Sequence, residues 1–128
     1  MAAIGRFQKG DDVFYAKMVD GELFPMHGDM FGSPTFDKKP MSAKGVRTLP
    51  PVVPTKIVAV GLNYADHARA IGQALPKEPL FWFKAPSAML GDGGKIEIPY
   101  QHHRVDYEAE LAIVIGRRVK NVTPTAAP

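Results

Sequence analysis

Three prolines within eight residues, Arg47-Thr48-Leu49-Pro50-Pro51-Val52-Val53-Pro54, divide this chain of 128 residues. Proline lacks the backbone N–H that a strand ladder needs, and it disfavours helix in the residue before it. The segment therefore cannot run as a central strand. It reads as an extended connector between two units, with the first at residues 1–48, the connector at 49–55 and the second at 56–128. Gly and Pro number 12 each. That much punctuation predicts short strands and many turns rather than long helices.

The first unit reads as a small β-rich domain. Val13–Val19 is a strand candidate, Asp20-Gly21 is a strong hairpin turn signal, and Glu22–Met26 returns as the second strand. In the second unit, Ile57–Gly61 is a short apolar run closed by glycine, expected to be a buried strand. Asn63–Gln73 has room for a helical turn or two, with Gly72 as the stop. Leu80–Phe83 is a further apolar strand. Gly91–Gly94 is a loop. Lys95–Pro99 alternates as a half-buried strand should, and Val105–Gly116 is the longest strand candidate. The fold class expected is mainly β (α+β).

Composition narrows the function. The chain is 45% hydrophobic and 23% charged, which fits a globular protein. It has no cysteine, so disulfides, thiolate metal sites and cysteine nucleophiles are excluded. The start, Met1-Ala2-Ala3-Ile4-Gly5-Arg6, has no apolar core of a signal peptide. The apolar runs fall far short of the ~20 residues that span a membrane. Net charge is +3, but the basic residues are scattered among 13 acidic ones and form no run interleaved with aromatics. Neither a nucleic-acid nor a membrane partner is expected.

Chemistry concentrates in two places. In Arg104–Gly116, strand alternation puts Glu108 and Glu110 on one face with Ala112 and Val114, while Tyr107, Ala109, Leu111, Ile113 and Ile115 share the other. The two glutamates stand about 7 Å apart along a strand. Such a pair can converge on a hard cation such as Mg²⁺ or Ca²⁺, which takes oxygen ligands. The plainer alternative is a solvated strand face bearing two surface acids. The second place is Gly61-Leu62-Asn63-Tyr64-Ala65-Asp66-His67-Ala68, a loop at a strand end. His67 is a candidate general base. The plainer alternative is a helix start with Asn63 as cap, Asp66 in the first turn and His67 merely exposed. Lys84 could neutralise an anionic group or be an ordinary strand-end lysine. His102 and His103 point to opposite sides and read as loop residues.

Together the stretches Ile57–Ala68, Leu80–Ala88 and Arg104–Gly116, in this order and spacing, resemble the fumarylacetoacetate hydrolase family. The resemblance runs over residues 50 to 124. It implies a mixed β-roll preceded by a short N-terminal domain. It also implies a divalent cation, Mg²⁺ or Mn²⁺, held by Glu108, Glu110 and a third ligand, an aspartate beyond the chain end. The same resemblance makes His67 the catalytic histidine and places Tyr64 and Lys84 at the substrate. The substrate is then a small keto acid, and the reaction is hydrolysis of a C–C bond in a β-diketo or 2-keto acid, with isomerisation or decarboxylation as alternatives. Members are cytoplasmic homodimers or larger assemblies. The chain departs from the pattern at Ala70, where some hydrolase and decarboxylase members carry a glutamate partner for the histidine. Leu111–Ile115 is apolar on both faces and expects cover, so the chain is read as the front part of a longer protein, inactive alone. A non-catalytic fragment or binding module is the competing class.

Overall fold

The structure, a computed structural model, describes residues 3–100 and 104–127. The fold is mainly β. Among the described residues, eight strands, one short α-helix and one turn of 3₁₀-helix follow in the order β1 (Ala3–Lys9), β2 (Asp12–Val19), β3 (Glu22–His27), β4 (Thr35–Phe36), β5 (Met41–Ser42), β6 (Arg47–Leu49), β7 (Ile57–Gly61), α1 (Ala65–Ala70), β8 (Leu80–Lys84) and the 3₁₀ turn Pro86–Ala88. No helix among the described residues is long and apolar enough to cross a membrane.

The first six strands make one antiparallel sheet in the order β4-β3-β2-β1-β6, with β5 also paired to β3. The expected hairpin forms, with Val19 opposite Glu22. Asp20 (φ 51°) and Gly21 (φ 81°) both take positive φ, as the tight primed turn between twisted strands requires. Strand β1 was not anticipated. It pairs with β2 through a second turn at Gly10 (φ 60°).

Cross-strand partners share a face, so the register makes one face of this sheet apolar. Phe7 lies opposite Phe14, Ala16 opposite Gly5, and Leu23 opposite both Met18 and Met41. Phe7, Ala16 and Leu23 are buried there, flanked by Phe14, Met41, Ala43 and Val46. The Phe7 and Phe14 rings stand 6.0 Å apart. On the other face Lys17 covers two rings, its Nζ 5.2 Å from the centre of Phe24 and 5.0 Å from that of Phe36. The sheet ends at β6, an edge strand pairing only with β1 among the described residues, and the prolines follow directly. This is the position in which proline does least harm to a ladder.

The second sheet has two strands, β7 and β8, antiparallel from Ile57 opposite Lys84 to Gly61 opposite Leu80. The loop beyond β8 touches the first region at Gly91, where a Cβ would meet the Thr48 carbonyl oxygen at 2.6 Å. Gly116 likewise lies against the Phe31 ring.

Three expectations are corrected here. Of Ile57–Val60 only Ala59 is buried, and Val58 and the whole of β8 are exposed. A two-stranded sheet hides little by itself, and no third layer covers it among the described residues. Lys95–Pro99 is not a strand. Nor is Val105–Gly116, which has no ladder partner among the described residues. Its alternation would suit a sheet, but strand structure needs a neighbour to take its N–H and C=O groups. His102 and His103 lie outside the described residues.

Candidate active site

The site is built around the end of β7. Gly61 closes the strand, and a Cβ there would meet the Trp82 ring at 2.8 Å, so glycine is what lets Trp82 fold over the strand end. Leu62 then takes a left-handed φ of 49°. A non-glycine residue there costs about 1–3 kcal/mol and is kept only where its surroundings demand it. The reversal turns Asn63 and Tyr64 away from the strand axis. Tyr64 is the N-cap in extended conformation, and it makes no side-chain cap hydrogen bond. The helix stops as expected at Gly72 (φ 68°). There the Gln73 N–H donates to the Ala68 carbonyl at 2.8 Å and the Gly72 N–H to the Arg69 carbonyl at 3.1 Å. This paired closure satisfies the carbonyls left over at the helix end. Ala68 is fully buried and anchors the helix, while His67 is exposed.

Residues 104–110 run past this shoulder. Asn63 Nδ2 donates to Glu110 Oε1 at 3.3 Å, and the Tyr64 hydroxyl donates to the Ala109 carbonyl at 3.3 Å. The result is a cleft of about 920 Å³ lined by Asn63, Tyr64, His67, Trp82, Glu108 and Glu110 among others. Residues 45 and 47 positions apart in sequence are thus bonded in one place. The capping role considered for Asn63 is not what the structure shows, since its amide reaches across to a glutamate instead.

Charge in the cleft is unevenly matched. Arg104 Nε donates to Asp106 Oδ1 at 2.9 Å and stands 2.8 Å from Oδ2, so the arginine lining the cleft is already paired. Glu108 and Glu110 have no cationic partner among the described residues. Two adjacent carboxylates without a counter-charge are the donor set a hard cation takes. No group of three His, Asp or Glu side chains gathers among the described residues. Glu108 and Glu110 line the cleft together, and their carboxylates are oxygen donors of the kind Mg²⁺ takes.

Lys84 is not in this cleft. Antiparallel pairing puts it opposite Ile57, at the far end of β7 from Gly61. Four strand steps separate those ends, roughly 13 Å. It lines a separate open depression of about 340 Å³ with Thr55, Lys56, Phe83, Ala85 and Pro86. The hydroxyl of Tyr64, expected at the substrate, is engaged by the Ala109 carbonyl. Two contributors were missed from sequence, Asn63 as a partner of Glu110 and Trp82 as a wall.

Residues 56–128 match the model of the family described as fumarylacetoacetate (FAA) hydrolase, C-terminal. The chain belongs to the fumarylacetoacetate hydrolase family. A protein of Archaeoglobus fulgidus is 39% identical over 125 residues, which is 97% of this chain and 46% of that protein. The mitochondrial oxaloacetate tautomerase FAHD2 of Arabidopsis thaliana is 52% identical over 68 residues, covering 53% of this chain and 30% of that protein. Among solved structures, a 5-carboxymethyl-2-hydroxymuconate delta-isomerase from Mycobacterium smegmatis superposes with a TM-score of 0.54 at 29% identity, over 69% of this chain and 34% of that one. The chain therefore spans about half the length, or less, of these relatives. Two of the three carry the names of enzymes. The fumarylacetoacetate hydrolase match includes β7, α1, β8 and the Glu108–Glu110 segment, which is the whole of the cleft.

Proposed function

We propose that this chain supplies the base and the cation-holding carboxylates of an enzyme acting on small keto acids, and that the reaction is a keto–enol isomerisation. The observation that carries the reading is the shared cleft: His67 and the Glu108/Glu110 pair line one cavity. Glu108 and Glu110 would hold Mg²⁺ or Mn²⁺, with Ca²⁺ as the larger alternative. Such a cation, when bound, acts as a Lewis acid toward a carbonyl oxygen and stabilises the negative charge that grows there. His67 removes a proton from the carbon next to that carbonyl, so that a C–H bond breaks and an N–H bond forms. The same imidazolium then returns the proton to the other end of the enol system. Trp82 lines the same cavity and offers its ring to the apolar part of the substrate.

Isomerisation is favoured over C–C hydrolysis by two facts. Hydrolysis adds a water that must be activated, and a carboxylate on the histidine would assist it. The position three residues after His67 is Ala70, and no carboxylate is hydrogen-bonded to His67 among the described residues. In addition, named relatives are a tautomerase and an isomerase. Lys84, at the opposite end of the β7–β8 hairpin, is given no part.

The test uses the native protein as produced from its own gene, loaded with Mn²⁺. One assay follows loss of the enol absorbance of oxaloacetate, and a second follows cleavage of an acylpyruvate. Enol loss without cleavage supports the isomerase reading. Cleavage without enol conversion would move the chain to the hydrolases, and silence in both would remove the enzyme reading for these substrates.

A further inference from the structure

The two hydrogen bonds that tie residues 104–110 to the helix shoulder carry a role of their own. Glu108 and Glu110 stand on a segment that lacks any strand partner among the described residues. Nothing in its own backbone would hold two carboxylates at a fixed separation. Two side chains of the β7–α1 turn do so instead. The Tyr64 hydroxyl donates to the carbonyl of Ala109, the residue between the two glutamates. The Asn63 amide donates to Oε1 of Glu110, one of the residues that line the cleft. Both residues follow Leu62, whose left-handed φ aims them at the segment. The chemistry of Asn63 matches this role, because its Nδ2 can only donate and a carboxylate oxygen of Glu110 accepts.

We infer that Asn63 and Tyr64 are positioning residues: Asn63 orients the Glu110 carboxylate, and together with Tyr64 it latches the Glu108–Glu110 segment beside His67, thereby setting cation affinity. The inference rests on the reading of the glutamates as cation holders. Groups that orient metal ligands typically change affinity about 10–100-fold when removed. Neither side chain is assigned a contact with substrate.

The test has two readouts on the native protein. The first is amide hydrogen exchange over residues 104–112 without metal. Asn63→Ala and Tyr64→Phe should each speed exchange there while leaving β1–β3 unchanged. The second is Mn²⁺ titration. Asn63→Ala should weaken binding about tenfold. In a Glu110→Gln background the same substitution should add nothing, because the carboxylate it orients is gone. Unchanged exchange in both variants would overturn the latch. Faster exchange with unchanged Mn²⁺ affinity would reduce it to a structural tie and overturn the positioning role. If Glu108→Gln and Glu110→Gln themselves leave Mn²⁺ affinity unchanged, the cation reading fails instead, and the exchange data still decide whether the latch exists.

Discussion

Residues 3–49 and residues 56–127 treat their apolar side chains in opposite ways. In the first region a continuous antiparallel sheet folds Phe7, Ala16 and Leu23 out of water, while Lys17 lays its ammonium over the Phe24 and Phe36 rings. In the second, Phe81, Phe83, Leu111, Ile113 and Ile115 are exposed, and Tyr107 reaches 97%. Polar groups are what that region brings together: Asn63, Tyr64, His67, Glu108 and Glu110 converge although the glutamates' own segment joins no sheet. Stability and chemistry are thus placed in different regions, a separation common where a site is carried on loops beside a rigid scaffold.

Breaking the chemical side should give the largest effect. His67→Ala is expected to lower turnover of the native protein by about 10²–10⁴-fold with a much smaller change in the Michaelis constant, as for a group acting mainly in the transition state. Steady-state kinetics with the enol substrate reads this. A loss within about twofold, far below that range, would make His67 only a residue of the helix start.

Breaking the structural side comes next. Leu23 is fully buried, and Leu23→Ala should cost about 2–5 kcal/mol of stability, seen in denaturant unfolding. Mn²⁺ affinity below the unfolding transition should stay unchanged, and a parallel loss would show that the two regions are coupled. The join between them is sharper still to probe at Gly91, where a Cβ would press on the Thr48 carbonyl of β6. Backbone cannot swing aside as a side chain can, so Gly91→Ala should cost about 1–3 kcal/mol, the range for forced overpacking. A neutral result would show that the loop is not held against β6.

A smaller effect concerns the open apolar faces. Contiguous exposed apolar surface promotes association. The 128-residue chain by itself is expected to self-associate, and Leu111→Lys with Ile113→Lys should reduce that in light scattering. A monodisperse chain insensitive to these changes would show that the faces are covered in solution.

Much of this contrast was legible in the residues. Asp20-Gly21 announced the β2–β3 hairpin because few residues accept two successive positive φ values. Gly72 announced the helix stop for a similar reason. Strand β1 was illegible because Ile4 and Phe7 are diluted by Arg6, Gln8 and Lys9, so its apolar alternation never stands out. The segment Val105–Gly116 was overread, since alternation reports which faces a strand would have, not whether a partner strand is present. In the site, Glu108 and Glu110 could be paired by spacing alone. Their approach to His67 could not, because it depends on a turn at Leu62 that no local pattern announces. That Lys84 stands away from this cleft was illegible without the β7–β8 register, which sets Leu80 rather than Lys84 opposite Gly61.

Everything proposed for the cleft depends on whether the Glu108/Glu110 pair holds a cation beside His67. Calorimetric Mn²⁺ titration of the native protein, with Glu108→Gln and Glu110→Gln in parallel, reads this without an activity assay. Each substitution keeps the side-chain volume and removes one anionic ligand. Saturable binding is expected in the unsubstituted protein, with a loss of at least about tenfold in either variant, the scale on which even supporting groups of a metal site act. Equal affinity in all three proteins would contradict the cation site.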